Sequence, residues 1–129
     1  MKSNIRILVV DDDYHIRNVL SRFLLSQGCV VQTVENGLDA MQVLAENHFD
    51  AVLTDFHMPH MDGLTLARQI RINNPQTFII IITSDIWMGA KEEGLADYIV
   101  EKPFKLNEIY NILLCALEPT VRNCASSYL

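Results

Sequence analysis

Asp50-Ala-Val-Leu-Thr-Asp55, running straight into Phe56-His-Met-Pro-His-Met-Asp-Gly63, decides how this chain folds. A short apolar run that ends in a carboxylate and breaks into a Pro- and Gly-containing turn reads as a buried strand whose last residue is exposed at an edge. Packing gains nothing from a carboxylate there, yet the carboxyl edge of an open parallel sheet is where α/β proteins bind ligands. Three further runs end the same way. Ile5-Arg-Ile-Leu-Val-Val10 closes on Asp11-Asp12, Ile79-Ile-Ile-Ile closes on Thr83-Ser84, and Tyr98-Ile-Val-Glu closes on Lys102-Pro103. Carboxylates, a hydroxyl and an amine thus all fall at strand ends, a combination suited to accepting a phosphoryl group.

Between these runs the hydrophobic period changes from 2 to 3.6. Asp12 or Asp13 caps a helix in which Ile16, Val19, Leu20, Phe23 and Leu24 share a face, and Gln27-Gly28 ends it. Cys29 to Val34 is a short β-branched strand, followed by the Glu35-Asn36-Gly37 turn and a helix carrying Leu38, Met41, Val43 and Leu44. Ala51 to Thr54 is the third strand; Leu64, Leu66, Ala67 and Ile70 mark a helix that stops before Pro75. Phe78 to Ile82 and Tyr98 to Val100 are the fourth and fifth strands, and Leu106, Ile109, Ile112, Leu113 and Leu117 a last helix ending before Pro119. Strands alternating with helices imply right-handed parallel βαβ units with helices on both faces of the sheet. The expected fold is α/β, a doubly wound, flavodoxin-like five-stranded parallel sheet. Asp11-Asp12 must meet Asp55, so the first and third strands are neighbours and the order is 2-1-3-4-5.

The 129 residues suit one domain, with a core of about 4–118 and a tail or linker start at 119–129. Half the residues are apolar, the net charge is −6 and the pI is near 5.0, so no basic surface is available to neutralise nucleic-acid phosphates. Cys29, Cys115 and Cys124 are an odd number at unrelated spacings, which reads as reduced thiols in a cytoplasmic protein. Apolar runs of strand length, and a start at Met1-Lys-Ser-Asn without a signal-peptide core, point away from membrane and export.

Three carboxylates brought together repel one another, each pair by about 4 kcal/mol at 4 Å and an effective dielectric near 20. A cation is required, and oxygen donors without Cys or His select Mg²⁺. Asp12 and Asp55 are the expected direct ligands, Asp11 acts through water, and the backbone carbonyl of His57 adds an oxygen. With the charge offset, Asp55 can attack a phosphoryl group. Thr83 and Lys102 then clamp the phosphoryl oxygens. His57 and His60 have zinc-like spacing, but no Cys accompanies them and the Mg²⁺ pattern overlaps them. Taken singly, the Asp11-Asp12-Asp13 run could cap a helix, Thr83 could satisfy a strand end and Lys102 could be solvated. Their order along the chain overturns those readings.

The set Val-Val-Asp11-Asp12, Leu-Thr-Asp55-Phe-His-Met-Pro-His-Met-Asp-Gly63, Thr83-Ser84 and Lys102-Pro103-Phe104 resembles the response-regulator receiver domains of two-component signalling. The match spans nearly the whole chain. The resemblance implies that Asp55 is phosphorylated from a phosphohistidine of a histidine kinase or phosphotransfer protein. It implies further that Thr83 moves towards the phosphoryl group while an aromatic residue of the fifth strand turns inward, altering a face read by a downstream protein target. Receivers also dimerise through that face, so a homodimer is an option. The chain carries no effector segment, so it reads as a stand-alone receiver or one leading into a longer protein near Pro119.

Two departures from the family pattern stand out. The switch aromatic of receivers precedes the lysine with two residues between them, whereas Ile99, Val100 and Glu101 separate Tyr98 from Lys102. Either Ile99 takes the switch position or a bulge absorbs the extra residue. The connection Ser84 to Ala96 is short and holds Gly89 and Gly94, so the helix between the fourth and fifth strands is expected to be shortened or irregular. Two other functions compete: a phosphorylation-independent adaptor, and a Mg²⁺-dependent phosphohydrolase working through an aspartyl phosphate. The hydrolase needs a substrate cavity and a further acid or base, and every connection here is short; the expected chemistry is self-directed, with no enzymatic turnover.

Overall fold

The three inner strands of the sheet bury residues on both faces, and the sequence alternation assigns each residue to its side. The computed structural model describes residues 4–84 and 94–118. Its elements run β1 (Arg6–Val10), α1 (Tyr14–Ser26), β2 (Val30–Val34), α2 (Gly37–Glu46), β3 (Ala51–Asp55), α3 (Gly63–Asn73), β4 (Phe78–Thr83), β5 (Tyr98–Glu101) and α4 (Leu106–Leu117). The strands form one parallel sheet in the order β2-β1-β3-β4-β5. The doubly wound topology expected from the acidic motifs is the one observed.

Ile7, Val9, Leu53, Ile80, Ile82 and Val100 point to the side covered by α1 and α4, where Leu20, Leu24, Ile109, Ile112 and Leu113 meet them. Leu8, Val10, Val52, Ile79 and Ile81 point to the other side, against Ala40 and Leu44 of α2 and Leu66, Ala67 and Ile70 of α3. Near-continuous Val and Ile runs are therefore the signature of strands covered twice. Each such fully buried aliphatic side chain is worth roughly 1.5–3 kcal/mol of apolar transfer. The two edge strands differ: β2 has mixed exposure, and β5 buries only Val100.

Helix starts follow their capping chemistry. Asp13, Asn36 and Asp62 each accept a backbone N–H of the following turn, from His15, Asp39 and Thr65 respectively. Of the two candidate caps for α1, Asp13 is the one used, which releases Asp12 for the site. Strands β4 and β5 each run one residue beyond the apolar stretch, to Thr83 and Glu101, and pair without interruption from Ile80–Tyr98 to Thr83–Glu101. No bulge occurs in that ladder. The expectation of a shortened or irregular helix between β4 and β5 falls on residues 85–93, outside the described residues. Cys29 is buried in the core, whereas Cys115 on α4 is disulfide-bonded, which corrects the reading of three reduced thiols. Among the described residues no helix is long and apolar enough to cross a membrane.

Candidate functional site

Because β1 and β3 are adjacent and in parallel register, their carboxyl ends bring Asp11, Asp12 and Asp55 together, with one carboxylate oxygen of each within 4.8 Å of the others. Asp11 and Asp55 are buried, and Asp12 is exposed at the rim. Asp11 is oriented from its own loop: its Oδ1 accepts the Asp13 N–H at 2.9 Å. Burial pushes its carboxyl up to about 6, the Asp13 hydrogen bond pulling the other way and the charge of Asp55 adding to the rise.

Lys102 closes the site from β5. Its Nζ donates to Asp55 Oδ1 at 2.9 Å and stands 4.0 Å from Asp11 Oδ2. Burial alone would lower this amine; the hydrogen bond and charge of Asp55, with Asp11 and Asp13 behind it, outweigh that and raise it above the ordinary lysine value. The Lys102–Pro103 peptide is cis, and Lys102 N–H donates to Thr83 C=O at 2.9 Å, which ties the lysine's backbone to the end of β4. Thr83 itself is buried at the site's edge.

The turn after Asp55 is folded back on the strand. Gly63 N–H donates to Phe56 C=O at 2.7 Å, and a Cβ at Gly63 would lie 2.5 Å from Asp55 O. Only glycine allows α3 to start so close beneath β3. His57, two residues past Asp55, is exposed with its ring edge-on to Phe56 at 4.9 Å. The turn thus leaves the His57 and His60 side chains outside the cluster of carboxylates.

The sequence reading missed Arg17. One turn into α1, its Nη1 donates to the Asp11 carbonyl at 2.8 Å, and its guanidinium lies over the Tyr14 ring at 5.6 Å. A basic residue on the first helical turn after an acidic run was the available signal. Beside Lys102, an open apolar groove runs between α1 and the segment after β5, lined by Ile16, Val19, Pro103, Phe104 and Leu106. Tyr98 and Ile99 sit on opposite faces of β5, Tyr98 towards α1 and α4 and Ile99 towards α2 and α3.

Residues 7–114 match the model of the response regulator receiver domain. The chain belongs to the receiver domain family. Similar relatives include the DNA-binding transcriptional regulator NtrC of Escherichia coli K12, 41% identical over 79% of this chain and 22% of that protein. The response regulator MprA of Mycobacterium sp. strain KMS is 38% identical over 81% of this chain and 47% of that protein. This receiver therefore spans less than half the length of the curated relatives it matches. Among solved structures, the response regulator TrrA of Thermotoga maritima, in complex with Mg²⁺-BeF, superposes with a TM-score of 0.80 at 33% identity, covering 87% of this chain and 98% of that one. The receiver domain of the sensor histidine kinase PA1611 of Pseudomonas aeruginosa, with magnesium in its active-site cleft, gives 0.82 at 29% identity, covering 90% and 99%. Receivers are signalling modules, and the acidic cluster of this one is of the type that holds Mg²⁺.

Proposed function

We propose that this receiver accepts a phosphoryl group on Asp55 from a phosphohistidine of a histidine kinase or phosphotransfer protein, and that the modified domain presents a changed surface to a downstream protein. The observation that carries the reading is the approach of Lys102 to Asp55 inside a cluster of three carboxylates. An anionic nucleophile is held ready, and a cation is placed where transferred oxygens would gather charge.

Oxygen donors from Asp11, Asp12 and Asp55, and the backbone carbonyl of His57, fit Mg²⁺, a hard cation that takes carboxylates and keeps several waters. Bound there, Mg²⁺ would offset the repulsion of the carboxylates and withdraw charge from the phosphoryl oxygens. Asp55 Oδ attacks phosphorus, the P–N bond of the phosphohistidine breaks, and the imidazole leaves with its electron pair and takes a proton from solvent. Lys102 exchanges Asp55 Oδ1 for a phosphoryl oxygen, and the Thr83 hydroxyl donates to another. Phosphoryl transfer of this kind asks little of the protein beyond position and charge. The apolar groove between α1 and Pro103-Phe104 gives the donor protein a surface to rest on beside Lys102. Among the switch candidates Thr83, Tyr98 and Ile99, the unbulged ladder favours Ile99, which faces α2 and α3 as Tyr98 does not.

Incubation of the wild type with acetyl phosphate and Mg²⁺ should add the mass of one phosphoryl group to the intact protein, and Asp55→Asn should abolish the addition. No added mass with acetyl phosphate or with a phosphorylated donor protein would favour a phosphorylation-independent adaptor. Steady release of phosphate from a small phosphoester would favour a hydrolase.

A further inference from the structure

The opposite end of β5, far from the acidic cluster, carries a second polar assembly that the phosphoryl-transfer reading does not use. Arg71, in the last turn of α3, donates through Nε to Leu95 C=O at 3.0 Å and through Nη1 to Thr77 C=O at 2.8 Å and Pro75 C=O at 3.2 Å. Its Nη2 donates to Asp97 Oδ2. That same carboxylate oxygen accepts the Ile79 N–H at 2.8 Å, while the Asp97 N–H donates to Ile79 C=O at 2.8 Å. One guanidinium therefore joins the end of α3, the segment leading into β4 and the segment leading into β5.

β5 has reason to need such an attachment. It is an edge strand of four residues, paired only with β4, and just one of its residues, Val100, is buried. Its height along β4 fixes where Lys102 stands. A slip of one residue would carry Lys102 roughly 3.3 Å along the sheet and turn the strand's side chains to the opposite faces. Asp97 precedes the strand and Lys102 follows it, so the two bracket the ladder: Asp97 is bonded to Ile79 below, and the Lys102 N–H to Thr83 C=O above. The lower bracket is the stronger one, because two of its bonds go to a carboxylate and the guanidinium adds three to backbone oxygens.

We propose that Arg71 and Asp97 are positioning residues for Lys102, pinning the start of β5 to β4 and α3 so that the lysine amine meets Asp55. Its consequence for phosphoryl acceptance rests on the receiver reading given above. Arg71→Lys keeps the charge but cannot span the four acceptors, and Asp97→Asn keeps the shape but removes the charge that draws the guanidinium in.

The test uses both variants and two readouts on the whole chain. By NMR, the Lys102 ammonium protons of the wild type should give a resolved ¹H–¹⁵N correlation, because Asp55 slows their exchange with water. In Arg71→Lys and Asp97→Asn that correlation should broaden or vanish, while core amides of β1 and β3 stay protected. Phosphoryl acceptance from acetyl phosphate should slow several-fold, with the donor concentration needed for half-saturation little changed. Faster exchange of the Ile79 amide in either variant, with the Lys102 correlation and the acceptance rate both as in the wild type, would overturn the proposal and leave the assembly a local support. If wild-type Asp55 takes no phosphoryl group at all, the phosphoryl-acceptance reading fails, and the ammonium signal still decides whether Arg71 and Asp97 position Lys102.

Discussion

Asp11 is the residue on which the charge balance of the site turns. Its carboxyl is raised from an ordinary value of 3.8 to about 6 by burial above all. A raised folded-state value means that the folded chain holds this proton more tightly than the unfolded chain does. The stability so contributed is complete below 3.8 and is lost as the pH rises through about 6. Above that point the ionised Asp11 works against the fold. Asp11→Asn keeps an acceptor for the Asp13 N–H and sheds the charge, so it should be more stable than the wild type at pH 7.5, by about 1–3 kcal/mol. Urea unfolding at a series of pH values should show this advantage shrinking below pH 6; an advantage independent of pH would assign it to packing. Asp11, Asp12, Asp55, Thr83 and Lys102 were all legible as candidates because each ends an apolar run. Arg17, Arg71 and Asp97 were not, since each works through backbone carbonyls or a partner far away in sequence, and residue type says nothing about which carbonyls a guanidinium will reach.

At the scale of elements, the start of α3 lies close against the end of β3. Gly63→Ala would bring a Cβ within 2.5 Å of the Asp55 carbonyl, a backbone atom that cannot move without shifting Asp55 itself. Thermal unfolding should register a loss of at least about 1–3 kcal/mol. Gly37→Ala meets the flexible Met61 side chain, at 2.7 Å from Sδ, and should cost less. Equal losses for the two would contradict this account of the turn. Removing the α3 cap by Asp62→Ala should cost about 1 kcal/mol without a change in fold. The strands and helices themselves were readable from period and punctuation, because β1, β3 and β4 are covered on both faces and each helix presents one apolar stripe. The choice between Tyr98 and Ile99 was not, because alternation assigns faces only once the register is known, and register is a property of the β4–β5 pair. The uninterrupted pairing of Ile80 with Tyr98 through Thr83 with Glu101 supplies it.

For the whole molecule, strand order followed from chemistry. Periodicity gives five strands but no neighbours; the requirement that Asp11-Asp12 meet Asp55 made β1 and β3 adjacent, and the sheet has that order. A cation that binds only the folded pocket must stabilise the entire domain by mass action, about 2.7 kcal/mol at a hundred times its dissociation constant. Added Mg²⁺ should therefore raise the unfolding temperature at pH 7.5, the rise should fade below pH 6 as Asp11 keeps its proton, and Asp55→Asn should blunt it. A rise of the same size in Asp55→Asn would place the cation elsewhere. The central claim is that Asp55 itself carries the phosphoryl group, and borohydride tests it most directly, since it reduces an aspartyl phosphate to homoserine and so marks the acceptor permanently. After treatment with acetyl phosphate and Mg²⁺, peptide mass mapping should find homoserine at position 55 and nowhere else; homoserine at Asp11, Asp12 or another carboxylate, with position 55 unchanged, would contradict the account.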